Sequence, residues 1–175
     1  MKWIGLLRWL LPAVLALTTT LPQAYAADKG AEATLKGASS VYKIKIEKGV
    51  SLSDAVQSMQ LRANNLNLKQ VSELPLSEQV AAMTGKPQRR MTIFQFCNAL
   101  IAKQLVDYNV DFAVFLPCRI ALIEDDKGQG WLVMMDMDVP KLAKDYHIPP
   151  KLAKEMETVR EQLKSIMQAG ATGAL

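Results

Sequence analysis

The sequence predicts an α+β fold: a mainly antiparallel, strongly twisted sheet built from βα repeats, with helices on one face and a C-terminal helical extension. Three observations carry this expectation. Short segments of period-two alternation are interleaved with stretches whose apolar residues recur at helical spacing, as in VYKIKIEK followed by SLSDAVQSMQ. RIALIED and WLVMMDM flank Asp126-Lys127-Gly128-Gln129-Gly130, a hairpin pattern that demands antiparallel pairing. Finally, Leu152, Met156, Val159, Leu163 and Ile166 form one apolar stripe on a long C-terminal helix.

The elements follow in order along the chain. Residues 1–26 have the three parts of a secretory signal: Lys2 and Arg8, an apolar run to Leu17, and Ala24-Tyr25-Ala26 before the expected cut. Residues 27–40 mix Gly, Ala, Ser and charge without periodicity and read as a flexible leader. The main domain is expected over 41–138. In its first strand Tyr42, Ile44 and Ile46 face the core and Val41, Lys43 and Lys45 face away. Ser51 caps the next helix, where Leu52, Ala55, Val56 and Met59 share a face. A strand over 66–73 and a short helix from Leu76, stopped by Gly85 and Pro87, come next. RRMTIFQFC alternates as a strand, Asn98 caps a helix to about Val106, and the hairpin follows Leu116-Pro117. From 139 to 175 the chain reads as a helical extension, interrupted by Pro149-Pro150 and ending at Gly170.

Charge narrows the function classes. Removing residues 1–26 takes away Lys2 and Arg8 and no carboxylate, so the formal charge of +4 becomes +2. That balance, with no basic cluster beyond Lys86-Pro-Gln-Arg89-Arg90, argues against nucleic acid as a partner. No later segment approaches the roughly 20 apolar residues of a membrane helix. The expectation is an exported, periplasmic protein that stays off the membrane once the signal is cleaved.

The segment from about Gly49 to Asp138 resembles the domain of unknown function 302 family. The resemblance rests on Asp54-Ala55-Val56 opening a helix, on RRMTIFQF closing at Cys97-Asn98-Ala99, on Leu116-Pro117-Cys118-Arg119-Ile120, and on Glu124 before a Gly-containing hairpin. Many members have Gly-Asn-Pro where this chain has Cys97-Asn98-Ala99. The resemblance implies a compact βα-repeat sheet and a dimer, and it implies no established activity.

The candidate chemistry centres on Cys97 and Cys118. If the helix between them crosses over to a parallel strand, the sulfurs sit at opposite ends of the sheet, roughly 20 Å apart. A disulfide needs Cα atoms about 4.4–6.8 Å apart, so two separately buried thiols are expected, with a bridge or redox work as alternatives. Met135 is a candidate soft-metal ligand, but it shares a strand face with Trp131, Val133 and Met137, which is expected to fill the core beneath the helices. His147 has no nucleophile at useful spacing, and Asp125, Asp126, Asp136 and Asp138 read as turn and edge residues. No cofactor is implied.

The tail stripe at Leu152, Met156, Val159, Leu163 and Ile166 meets either the chain's own sheet or a partner, a second copy or another protein. The expected function is therefore a non-enzymatic binding or assembly module of the periplasm. The alternative is a periplasmic redox or soft-metal accessory protein using Cys97 and Cys118. An enzyme is disfavoured because no base and nucleophile stand at plausible spacing.

Overall fold

The computed structural model describes residues 39–174. The signal-like segment and nearly all of the leader lie outside the described residues. Five strands form one antiparallel sheet in the order β1-β5-β4-β3-β2: β1 (Ser39–Lys45), β2 (Lys69–Leu74), β3 (Met91–Cys97), β4 (Cys118–Glu124) and β5 (Gly130–Met137). The helices are α1 (Leu52–Asn65), α2 (Leu76–Thr84), α3 (Ala99–Tyr108), α4 (Val139–Asp145) and α5 (Pro150–Thr172), with a 3-10 helix at Val110–Phe115. The α+β fold and the antiparallel sheet are as the sequence predicts.

Local chemistry places the elements. The Ser51 hydroxyl accepts the Asp54 amide at 3.0 Å and starts α1, while the Asn98 side chain accepts from Leu100 and Ile101 and starts α3. In the β4–β5 hairpin, Asp125 accepts the amides of Lys127 and Gln129 at 2.9 and 3.0 Å, and Gly128 takes the left-handed φ of +74° that the turn requires.

One face of the sheet is covered. Phe94, Phe96, Ile120, Leu122, Leu132 and Met134 pack against Ala55, Met59 and Ala63 of α1 and against Val159, Leu163, Ile166 and Met167 of α5. A second cluster, built from α3, the 3-10 helix, α4 and the start of α5, closes the end of the sheet with Leu105, Phe112, Phe115, Leu142, Leu152 and Met156. All five stripe residues of the tail, Leu152, Met156, Val159, Leu163 and Ile166, are thus buried within the chain itself. The segment from 139 on completes the core rather than hanging from it, and the stripe offers no free surface to a partner.

Two contacts seat α5. The Arg160 guanidinium makes a two-pronged pair with Asp136 of β5, Nε at 2.5 Å and the second nitrogen at 2.9 Å. At the other end, Gly170 lets the backbone approach so closely that a Cβ there would lie 2.5 Å from Met59 Cγ.

Two expectations fail here. The chain between Cys97 and Cys118 does not cross over to a parallel strand: β3 and β4 are antiparallel neighbours, with Phe96 opposite Cys118. The 3-10 helix and residues Leu116-Pro117 supply the return path that a simple β–helix–β reading omits. Second, Trp131, Val133 and Met135 do not lie beneath the helices. Leu132 and Met134 do, because they stand opposite Ile44 and Tyr42 on one side and Leu122 and Ile120 on the other. β5 is apolar on both faces, so its alternation carries no mark of which face turns inward.

Candidate functional site

Burial of Leu132 and Met134 turns the other face of the sheet outward. Strand alternation puts Val41, Lys43 and Lys45 of β1, Trp131, Val133 and Met135 of β5, Arg119, Ala121 and Ile123 of β4, and Met91, Ile93 and Gln95 of β3 on that face. Each of these side chains is exposed or half-buried, with Val41 at 72% and Met135 at 42% exposure. The apolar residues are contiguous across the register: Val41 faces Met135, Val133 faces Ala121, and Ala121 faces Ile93.

A hollow of about 370 Å³ opens here, lined by Val41, Ile93, Arg119, Ala121, Val133 and Met135, and at the sheet end it reaches Phe115, Cys118 and Met137 and touches Met134 and Leu163 of the covered side. The charged positions on β1, β3, β4 and β5 of this face are all cationic: Lys43, Lys45 and Arg119. Among the described residues none of the three is paired with a carboxylate. Lys43 and Lys45 instead hold their ammonium groups 5.4 and 5.2 Å from the Trp131 ring centre. The Trp131 indole N–H donates to Asp125 Oδ2 at 2.9 Å, and that bond, with the amides of the turn, holds the Asp125 carboxyl below its ordinary range.

The cysteines form a second constellation. Both thiols are free and half-buried. They line one small cavity of about 30 Å³ where the two core clusters meet, together with Leu105, Phe115, Met137 and Met156. Burial pushes the Cys118 thiol up to about 11, and the neighbouring Cys97 charge adds to the rise. Burial also raises Cys97. Among the described residues no three of His, Cys, Asp or Glu are grouped to hold a metal.

The structure therefore brings Cys97 and Cys118 together and leaves Met135 away from the cavity they share, on the open face. Met137 and Met156 take the place beside the thiols. Spacing within β5 gave no hint of Met156, which comes from α5. The open face itself went unrecognised, although Lys43 and Lys45 signalled an outward side; only the β1–β5 register shows that Val133 and Trp131 stand opposite those lysines.

The sequence profile of a family described as "Domain of unknown function DUF302" matches residues 42–170. The crystal structure of an uncharacterized conserved DUF302 protein from Bacillus stearothermophilus superposes with a TM-score of 0.59 at 15% identity, covering 74% of this chain and 96% of that one. At that identity the likeness is one of fold. A comparison with curated proteins finds no match.

Proposed function

Because the chain belongs to the DUF302 family, whose description names no function, we propose a role from the chain's own surface: a non-enzymatic binding module of the periplasm. Its open sheet face takes an elongated apolar ligand with an anionic end, an acyl carboxylate or an alkyl phosphate. The observation that carries this reading is the apolar hollow with Arg119 in its lining, on a sheet face where Lys43, Lys45 and Arg119 have no carboxylate partner among the described residues. Its volume falls within the roughly 300–1,000 Å³ of small-ligand sites. Each methylene moved from water onto Val41, Ile93, Val133 and Met135 contributes about 0.8 kcal/mol, and Arg119 at the border supplies a fork of donors for the anionic end. A second copy laid on the same face would bring Lys43, Lys45 and Arg119 towards their own counterparts, which charge complementarity disfavours. The signal-like residues 1–26 support export to the periplasm.

The test is a calorimetric titration of the chain lacking residues 1–26 with decanoate and with decyl phosphate, beside co-sedimentation with phosphatidylglycerol vesicles. Saturable binding of the free amphiphiles is expected, weakened about tenfold by Arg119→Glu, the loss of one charge-assisted contact, and abolished by Val133→Asp in a chain of unchanged circular dichroism. Binding to vesicles alone would reassign the face to a membrane. A wild-type dimer that Val133→Asp splits would reassign it to a second copy, and no binding in any arm would overturn the reading.

A further inference from the structure

We propose that Cys97, Cys118, Met137 and Met156 form a binding site for the soft cation Cu(I). The strand register brings three of the four residues to one end of the sheet, where alternation sets Cys118 towards the covered side and Cys97 and Met137 towards the other, and one cavity reaches all three. Phe96 stands opposite Cys118 across β3–β4, so Cys97 is one residue beyond it. Continuing the β4–β5 register two residues past Ile120–Met134 brings Asp136 level with Cys118, and Met137 one residue beyond. Cys97 and Met137 therefore flank Cys118 at the same end of the sheet, on its two neighbouring strands. Met156, only 2% exposed, reaches this end from α5. All four line the cavity of about 30 Å³.

The lining and size of that cavity select the occupant. Protein interiors are packed with few voids, and a void of this size is near the volume of one water molecule. Water held there needs two to four polar partners. Leu105, Phe112, Phe115 and Val159 offer none, and because the Asn98 side-chain oxygen is already accepting the two amides that start α3, only the Asn98 side-chain N–H groups stand beside the sulfur-bearing residues as polar side-chain partners. The same lining holds two cysteines and two methionines, whose thiols and thioethers are the donor set that favours Cu(I) over hard or borderline cations. Binding breaks two S–H bonds, releases two protons and forms two Cu–thiolate bonds, with neutral Met137 and Met156 completing the shell. No electron is transferred, and no co-reactant beyond Cu(I) is required. Of the two negative charges formed when Cys97 and Cys118 ionise, the cation between them offsets one, and the bis-thiolate complex keeps a net charge of −1.

The experiment is an anaerobic competition for Cu(I) between the reduced chain and bathocuproine disulfonate, followed by X-ray absorption at the copper edge. One Cu(I) per chain in a shell of sulfur alone is expected. Cys97→Ser and Cys118→Ser should each weaken binding by about a hundredfold, and Met137→Leu and Met156→Leu by about tenfold. The Met→Leu changes keep volume and fold, so a loss of affinity with an unchanged thermal melt reads ligation rather than packing. Retention of all copper by the chelator, nitrogen or oxygen in the shell, or unchanged affinity in both methionine variants would each overturn the site. Recovery of the exported chain with Cys97 bonded to Cys118 would do the same.

Discussion

Adding one methyl group at Gly170 separates the two ways of placing the C-terminal helix. In an exposed helix Gly→Ala stabilises by about 1 kcal/mol, because alanine loses less backbone freedom. Here the new Cβ would lie 2.5 Å from Met59 Cγ, 2.9 Å from Leu132 Cδ1 and 3.1 Å from the Ala55 carbonyl oxygen. Met59 and Leu132 are fully buried and have no room to swing away, and the carbonyl belongs to the α1 backbone. Overpacking of this kind costs roughly 1–3 kcal/mol, and contacts below 3 Å with two enclosed side chains put it at the upper end. Subtracting the propensity gain leaves a net loss of about 1–2 kcal/mol. For a domain of this size that lowers the melting temperature by roughly 3–8 °C. The assay is a thermal melt of Gly170→Ala beside Gln168→Ala, whose exposed side chain should move stability by no more than about 0.5 kcal/mol. A Gly170→Ala chain that melts at or above the wild-type temperature would refute the seating of α5 on α1 and β5. It would also return the apolar stripe to the surface as a docking element.

Other consequences are as direct. Arg160→Ala removes a two-pronged, partly shielded pair and should cost about 1–2 kcal/mol in urea unfolding. Hydrogen bonding to Arg160 lowers the folded Asp136 pKa below its ordinary 3.8. The pair's contribution should therefore be complete above that value and fade as pH falls through the lower, folded one; a wild-type minus Arg160→Ala difference that instead grows on acidification would contradict the pair. Iodoacetamide at pH 8, read by peptide mass spectrometry, should label Cys97 before Cys118, whose thiol is held at about 11. Cys118 labelling should then accelerate about tenfold per pH unit towards that value, and a flat rate would contradict its burial.

Much of the fold was legible because it rests on short-range chemistry. Ser51 and Asn98 announce their helices by capping, and the Asp125–Gly128 turn announces its hairpin by the φ it needs. Tyr42, Ile44 and Ile46 mark the inner side of β1 because lysines mark the outer one. Legibility ends where two apolar faces compete. Trp131-Leu132-Val133-Met134-Met135 satisfies either orientation, and the choice is made by its partners, Leu122 across the hairpin and Ile44, which is distant in sequence. The cysteines were misplaced for a related reason. Whether a helical connection leads to a parallel or an antiparallel strand depends on whether the chain comes back to the sheet end it left, and Val110–Phe115, packed against α3, brings it back as a 3-10 helix that no apolar period announces. The stripe on α5 was visible as a stripe, but its period is the same whether its own sheet or another chain covers it.

The helices close one face of the sheet and leave the other open, and the proposed binding rests on that division. Trp131 reports on that face directly: the chain has three tryptophans, and without residues 1–26 only Trp131 remains. Titrating decyl phosphate into that chain should change Trp131 emission saturably and reduce its quenching by acrylamide, and neither change should occur in Val133→Asp. Emission and quenching that stay constant through the whole titration would contradict that binding.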